Sequence, residues 1–219
     1  MTPSNRHPDQ AMQPGEIEAL VRPMLLQPLP PLAYGQLALY VALVERWNQR
    51  MNLTAVHDPV ELVRLHIGES LRCAQLLPQD VTTVMDFGSG AGLPGIPIQI
   101  ARPELAVTLA ESQAKKAAFL REALRAANLA HASVYAGRVE DMSAGQQFDL
   151  VTLRAVDRMG PALQAAIHRI KSDGWIAVLT SQRERTAVQG RLPAIEWIGA
   201  ESTPGSEQRV LLMGRKQLK

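Results

Sequence analysis

Cysteine is almost missing from this chain of 219 residues, and the single one, Cys73, excludes an internal disulfide and a cysteine-rich zinc site. Cys73 lies in an apolar helical pattern and reads as a small buried hydrophobe, not a nucleophile. Aromatic residues make up only 4%, so no base-stacking platform is evident. No apolar run is long enough to cross a bilayer. The opening stretch, MTPSNRHPDQAMQPGE, has no apolar signal region and reads as a disordered lead, so the chain is expected to stay in the cytoplasm. Excess charge is scarce too: a net +2 permits a nucleic-acid partner without arguing for one. Internal repeats and low-complexity segments are lacking.

What is present is the apolar content of a globular protein, 46%, in a length that suits one domain with an extension. Residues 1–15 are read as the lead, 16–79 as a helical extension and 80–219 as the core. From Leu32 to Arg50 apolar residues recur every three or four positions, the mark of an amphipathic helix. A second helical pattern runs from Pro59 to Leu77, with Asp58 as its N-cap and Pro78 as its stop. After Gln79 strand-like runs take over: VTTVMDF, LAVTLAES, ASVYAG, FDLVTLRAV and GWIAVLTS. Helical material separates most of them, as in IPIQIARPE, AKKAAFLREALRAANL and PALQAAIHRIK. Alternation of this kind predicts crossovers and a doubly wound α/β sheet with parallel strands. The last two runs, AIEWIGAES and QRVLLMGRK, are joined by little more than TPGSE. They predict an antiparallel end with one reversed strand.

Ligands of open α/β sheets bind beyond the carboxyl ends of the strands. There this chain writes VMDFGSGAGLPGIP, with four glycines in eight residues. Glycines permit positive φ and close approach of a ligand to the backbone. Gly90 to Gly95 formally fits G-x-G-x-x-G, the dinucleotide fingerprint, so an NAD(P)-binding oxidoreductase stays open as an alternative. However, Pro94 and Pro97 remove amide donors from the helix start. Asp86 would also point negative charge at a phosphate, whereas it suits a ligand with a sulfonium and an ammonium. The D-x-G-x-G-x-G spacing from Asp86 to Gly92 resembles the first motif of class I methyltransferases, which use S-adenosylmethionine.

Other strand ends supply further candidates. Glu111 ends the second strand, where a carboxylate can accept from both ribose hydroxyls, or simply favour a helix start. Gly137 to Asp141 follow the third strand, at the place where adenine lies in adenosine-binding sheets. Arg154 ends the fourth strand, where a cation needs a partner or a cleft.

With these residues assembled, the chain resembles the bacterial small-subunit ribosomal RNA guanine-N7 methyltransferase G family, also called glucose-inhibited division protein B. The likeness rests on Trp47-Asn48 with Asn52-Leu53-Thr54, on His66 with Ser70-Leu71, and on the Leu93-Pro94-Gly95-Ile96-Pro97 tail of the glycine loop. Arg138-Val139-Glu140 and Arg154-Ala155 add to it. It runs from Leu39 to the last strand. Where the family often has a basic residue before the histidine and an aspartate before the serine, this chain has Leu65 and Glu69.

The resemblance implies a class I methyltransferase fold that methylates N7 of one guanine of 16S ribosomal RNA with S-adenosylmethionine. It implies cofactor contacts at Gly88, Gly90, Leu93, Val139, Glu140 and Arg154, with Glu111 on the ribose. It also suggests Arg154, Asn52 and His66 as residues facing the RNA, the Asn52-Leu53-Thr54 turn locking the extension over the cleft. N7 has an exposed lone pair, so no general base is assigned, and His66 and His57 read as structural. No metal and no membrane partner are expected, and the enzyme is expected to act as a monomer on the small subunit. Arg46, Arg50, Arg64, Lys115, Lys116, Arg121, Arg125 and the Arg215-Lys216 pair are the cations available to RNA. Of these Arg125 is the weakest, being three residues from Glu122. A catalytically silent RNA-binding assembly factor on the same fold is the other alternative.

Overall fold

Among the described residues, seven strands form one sheet in the order β3-β2-β1-β4-β5-β7-β6. They are β1 (Thr83–Phe87), β2 (Ala106–Glu111), β3 (Ala132–Ala136), β4 (Phe148–Arg154), β5 (Ile170–Ser181), β6 (Ile195–Ser202) and β7 (Arg209–Lys216). The computed structural model describes residues 11–154 and 159–217. Most of the expected lead, and Ala155 and Val156 of the expected fourth strand, lie outside the described residues. Strands β1 to β5 pair in parallel, and β7 runs antiparallel to both β5 and β6. The short β6–β7 connection leaves no room for a crossover, so reversal is the only way to stay in the sheet.

Alternate residues of each central strand point to opposite layers. Val84, Leu109, Leu150 and Leu179 face one core; Met85, Val151, Ile176 and Val178 face the other. The helices are α1 (Pro14–Val21), α2 (Ala33–Asn48), α3 (Pro59–Glu61), α4 (Gly68–Leu76), α5 (Gly95–Ala101), α6 (Ala114–Ala126), α7 (Met159–Arg169) and α8 (Arg185–Arg191). The first core takes Ile17 of α1, Leu37 and Tyr40 of α2, Leu71 and Cys73 of α4, and Phe119 of α6. Leu163 of α7 and Val188 of α8 fill the second. The helices before β1 therefore share a core with the sheet. No helix among the described residues is long and apolar enough to cross a membrane.

Several expectations are corrected. Helix α1 starts at Pro14, inside the stretch read as a lead. Met12 is buried, and Glu16 accepts from the Gln13 amide at 2.7 Å, which fixes the helix start. Strand β5 starts at Ile170 rather than Gly174, so the expected helix over PALQAAIHRIK ends at Arg169 with no loop after it. Buried Ile170 pairs with Phe148, and Lys171 Nζ bonds Asp149 at 2.7 Å. Helix α8 was not foreseen. Asp58 caps α3 as expected, accepting from the Val60 amide at 3.0 Å. Between α3 and α4, however, Leu62–Ile67 form a π-helical turn. Such turns change the facing of the residues that follow, and they concentrate at functional sites.

Candidate functional site

The chain leaves β1 through a turn in which Gly88 and Gly90 hold φ of +67° and +55°, a region that side chains with a Cβ avoid. The turn is tied to β2: Ser89 N donates to Ala110 O at 3.0 Å and Gly90 N to Glu111 Oε2 at 2.9 Å. The other Glu111 oxygen accepts from Gln113 N at 2.8 Å. Across the loop, Tyr40 Oη donates to Ala91 O at 2.6 Å, so a buried residue of α2 pegs the glycine loop. Burial raises the Tyr40 hydroxyl far above its usual range, which keeps it a donor.

Asp86 sits under this loop, not in it. It is fully buried, accepts from Gly95 N at 3.2 Å and from Thr152 Oγ1 at 3.0 Å, and does not line the cavity. The expectation that it faces a cationic ligand is thus corrected: its place in the strand turns it under the loop, where it fastens α5. Burial raises its carboxyl to about 6, against its hydrogen bonds and Arg154, which lower it. A Cβ on Gly95 would come within 2.4 Å of Leu109 and 2.8 Å of Asp86, so only glycine fits there.

Above the carboxyl ends of the strands lies a cavity of about 710 Å³. Gly88, Gly90, Leu93 and Glu111 line it on the β1–β2 side, Val139 and Glu140 after β3, and Arg154 and His66 at the far end. Asn52 does not line it, but its neighbours Leu53, Thr54 and Val56 do. Asn48 shapes that segment: its Oδ1 accepts from Leu53 N and Thr54 N, both at 3.0 Å, and its Nδ2 donates to Val56 O at 3.3 Å.

A buried charge network closes the far end. Glu69, 2% exposed, accepts from Arg209 Nη2 at 2.7 Å and Thr203 Oγ1 at 3.2 Å, and lies 3.6 Å from Arg154 Nε. Arg154 Nη2 meets His66 Nδ1. Burial lowers the guanidinium of Arg154, while Glu69 opposes that shift. Burial, then Arg154 and Arg209, lower His66 to about 3. Glu69 and Arg209 were not among the expected site residues. Two signals pointed to Glu69: its spacing of three residues from His66, and its place before Ser70, where the resembled family often has an aspartate. Nothing near Arg209 in sequence announces its reach into the cavity, which it lines.

Several expected RNA cations are engaged elsewhere. Arg46 pairs with Glu122, which also accepts from Trp47 Nε1 at 2.9 Å, so the expected Glu122–Arg125 pair is replaced. Arg215 pairs with Asp173 at 2.5 Å, and Lys216 Nζ donates to the carbonyls of Ile167 and Ile170.

A parallel sheet with its seventh strand reversed, and a glycine loop over a cavity at the end of β1, define a class I S-adenosylmethionine methyltransferase fold. The N-methyltransferase NodS of Bradyrhizobium japonicum WM9, solved with S-adenosyl-L-homocysteine, matches with a TM-score of 0.58 at 17% identity. That match covers 79% of this chain and 98% of NodS. The fibrillarin pre-rRNA processing protein of Methanococcus jannaschii matches at 0.53 and 13% identity, over 64% of this chain and 68% of that one. Within this class, residues 33–204 match the family model described as rRNA small subunit methyltransferase G, and the chain belongs to that family. A ribosomal RNA small subunit methyltransferase G of Xanthomonas euvesicatoria pv. vesicatoria (strain 85-10) is 37% identical over 212 residues, 95% of this chain and 99% of the relative. One from Stenotrophomonas maltophilia (strain K279a) is 38% identical over 165 residues, 75% and 76% of the two chains.

Proposed function

We propose that this chain transfers a methyl group from S-adenosylmethionine to N7 of a guanine in 16S ribosomal RNA of the small subunit. The observation that carries the reading is where the amides of the glycine loop go. Gly90 N is taken by Glu111, Gly92 N and Leu93 N by Ser89 O, Gly95 N by Asp86 and Ile96 N by Gly92 O. Pro94 and Pro97 have none. A pyrophosphate would need such amides at the helix start. The dinucleotide alternative is disfavoured for that reason. An adenosine that carries no phosphate asks for less: a carboxylate at the ribose, for which Glu111 stands ready, and an apolar wall, which Leu93 and Val139 offer. Glu140 and Arg154 would complete the hold, at the base and at the amino-acid end.

When bound, the donor would supply an electrophilic methyl group on its sulfonium, to be attacked in line by the base nitrogen with the neutral thioether as leaving group. N7 has a free lone pair, so the chain need move no proton, and neutral His66 fits that requirement. The contribution of the protein is placement, worth roughly 7–11 kcal/mol in favourable cases. The ring turns positive as the methyl arrives, so a bare cation against it would oppose the reaction. Glu69 keeps Arg154 and Arg209 partly neutralised. Arg50, Arg64, Lys115 and Arg121 are exposed, carry no ion pair among the described residues, and are free to meet RNA phosphates. The reading carries with it a cytoplasmic enzyme, acting as a monomer without a metal.

Incorporation of labelled methyl into 16S RNA tests it, with free RNA, small subunits and whole ribosomes offered in parallel. Methyl at a guanine N7 is the expected result. No incorporation into any of the three, together with a melting shift by NAD and none by S-adenosylhomocysteine, would overturn it.

A further inference from the structure

We infer that His66 reads the accepting base: its Nε2–H donates a hydrogen bond to guanine O6, so a purine with a carbonyl beside the attacked nitrogen is preferred to one without. The inference rests on the methyl-transfer reading above and assigns a role that reading leaves open. His66 lies in the last part of the π-helical turn, one residue before its end at Ile67, and lines the cavity. Its Nδ1 meets Arg154 Nη2. A guanidinium has donors only, so Nδ1 accepts, and the single proton of the neutral ring sits on Nε2. Burial and two arginines keep the ring neutral. Nε2 has no hydrogen-bond partner among the described residues, and it is not one of the polar atoms sealed from solvent. What remains is an uncharged N–H donor on the cavity wall, its ring pinned by Arg154.

The chemistry of the base edge gives that donor its use. Guanine presents N7 and O6 side by side, whereas adenine presents N7 and an amino group. N7 must stay open for the methyl, so a contact that recognises this edge has O6 left to it. A cationic donor there would repel the positive ring that forms. An imidazole N–H does not. An adenine amino group would face it donor to donor and leave both unpaired.

The test uses the full chain and small subunits reconstituted with 16S RNA carrying either guanine or 2-aminopurine at the accepting position. The second base keeps N7 and lacks O6. Wild-type enzyme is expected to prefer guanine by about tenfold in kcat/KM. His66→Phe fills the same space without an N–H and should bring the preference to parity, with affinity for S-adenosylhomocysteine changed by less than about twofold. His66→Gln sets an amide N–H where Nε2 was and should keep the preference. A preference retained in His66→Phe overturns the inference, and so does one absent from wild type. Affinity for S-adenosylhomocysteine lost in both variants also overturns it, because the role then belongs to the donor. If wild type methylates no RNA at all, the methyl-transfer reading itself fails; an unaltered preference with transfer intact sinks only the role of His66.

Discussion

Replacing Asp86 by asparagine separates the shape of a buried carboxylate from its charge. The side chain accepts from Gly95 N and from Thr152 Oγ1. Asparagine keeps an oxygen for the amide, and its own NH2 can donate to a turned Thr152 hydroxyl, so the packing survives. Burial raises the Asp86 carboxyl from 3.8 to about 6. Between those values the folded chain binds more proton than the unfolded one. The stability it contributes is therefore full below about pH 4 and is lost as pH rises through about 6. The gap is about two pH units, and at about 1.36 kcal/mol each the swing is about 3 kcal/mol. Urea unfolding of both proteins between pH 4 and 7 measures it, since other titrations cancel in the difference. Wild-type minus variant stability should fall by about that amount as pH rises. A difference that stays flat, or grows, would show that burial does not hold this carboxyl up, and the reasoning would fail.

Other substitutions probe the same end of the molecule. Glu69→Gln leaves two largely buried guanidinium groups without their counter-charge and should cost about 3 kcal/mol or more in urea unfolding. Glu69→Asp should recover part of that. Tyr40→Phe strands the buried Ala91 carbonyl, a loss of about 1–3 kcal/mol. For a chain of this size each kcal/mol lowers Tm by roughly 2–4 °C, which a thermal melt reads directly. Glu111→Gln keeps the outline of the side chain but not its charge. Affinity for S-adenosylhomocysteine should drop by about 10- to 100-fold in calorimetry, and unchanged affinity would remove Glu111 from the ribose.

The sheet was legible because buried parallel strands are written as unbroken apolar runs, and β1, β2 and β4 lie close to where those runs predict them. The reversed end was legible from the short link after Ser202. The N-cap at Asp58 was legible because capping is chemistry between near neighbours. What failed was pairing at long range. Glu122 looked committed to Arg125 one turn away, yet it meets Arg46 and Trp47 from α2. Asp86 sits in the right motif, but only the fold shows that its carboxylate turns under the loop. The π-helical turn has no sequence mark that would have set His66 and Glu69 beside Arg154. The sequence presents Asn48 only as part of a likeness, whereas its three bonds to Leu53, Thr54 and Val56 explain that segment physically.

The place of β7 between β5 and β6 bears on how the nascent chain assembles. Among the described residues β6 pairs with β7 alone, and β6 leaves the ribosome first, so its pairing waits until β7 follows. Strand β7 joins the pair to β5, and its first residue, Arg209, reaches Glu69. The glycine loop needs only segments made earlier: α2 with its Tyr40 peg, β1 and β2. Completion of the far wall is therefore a late event in maturation, and ligand capture by a refolding chain would time it.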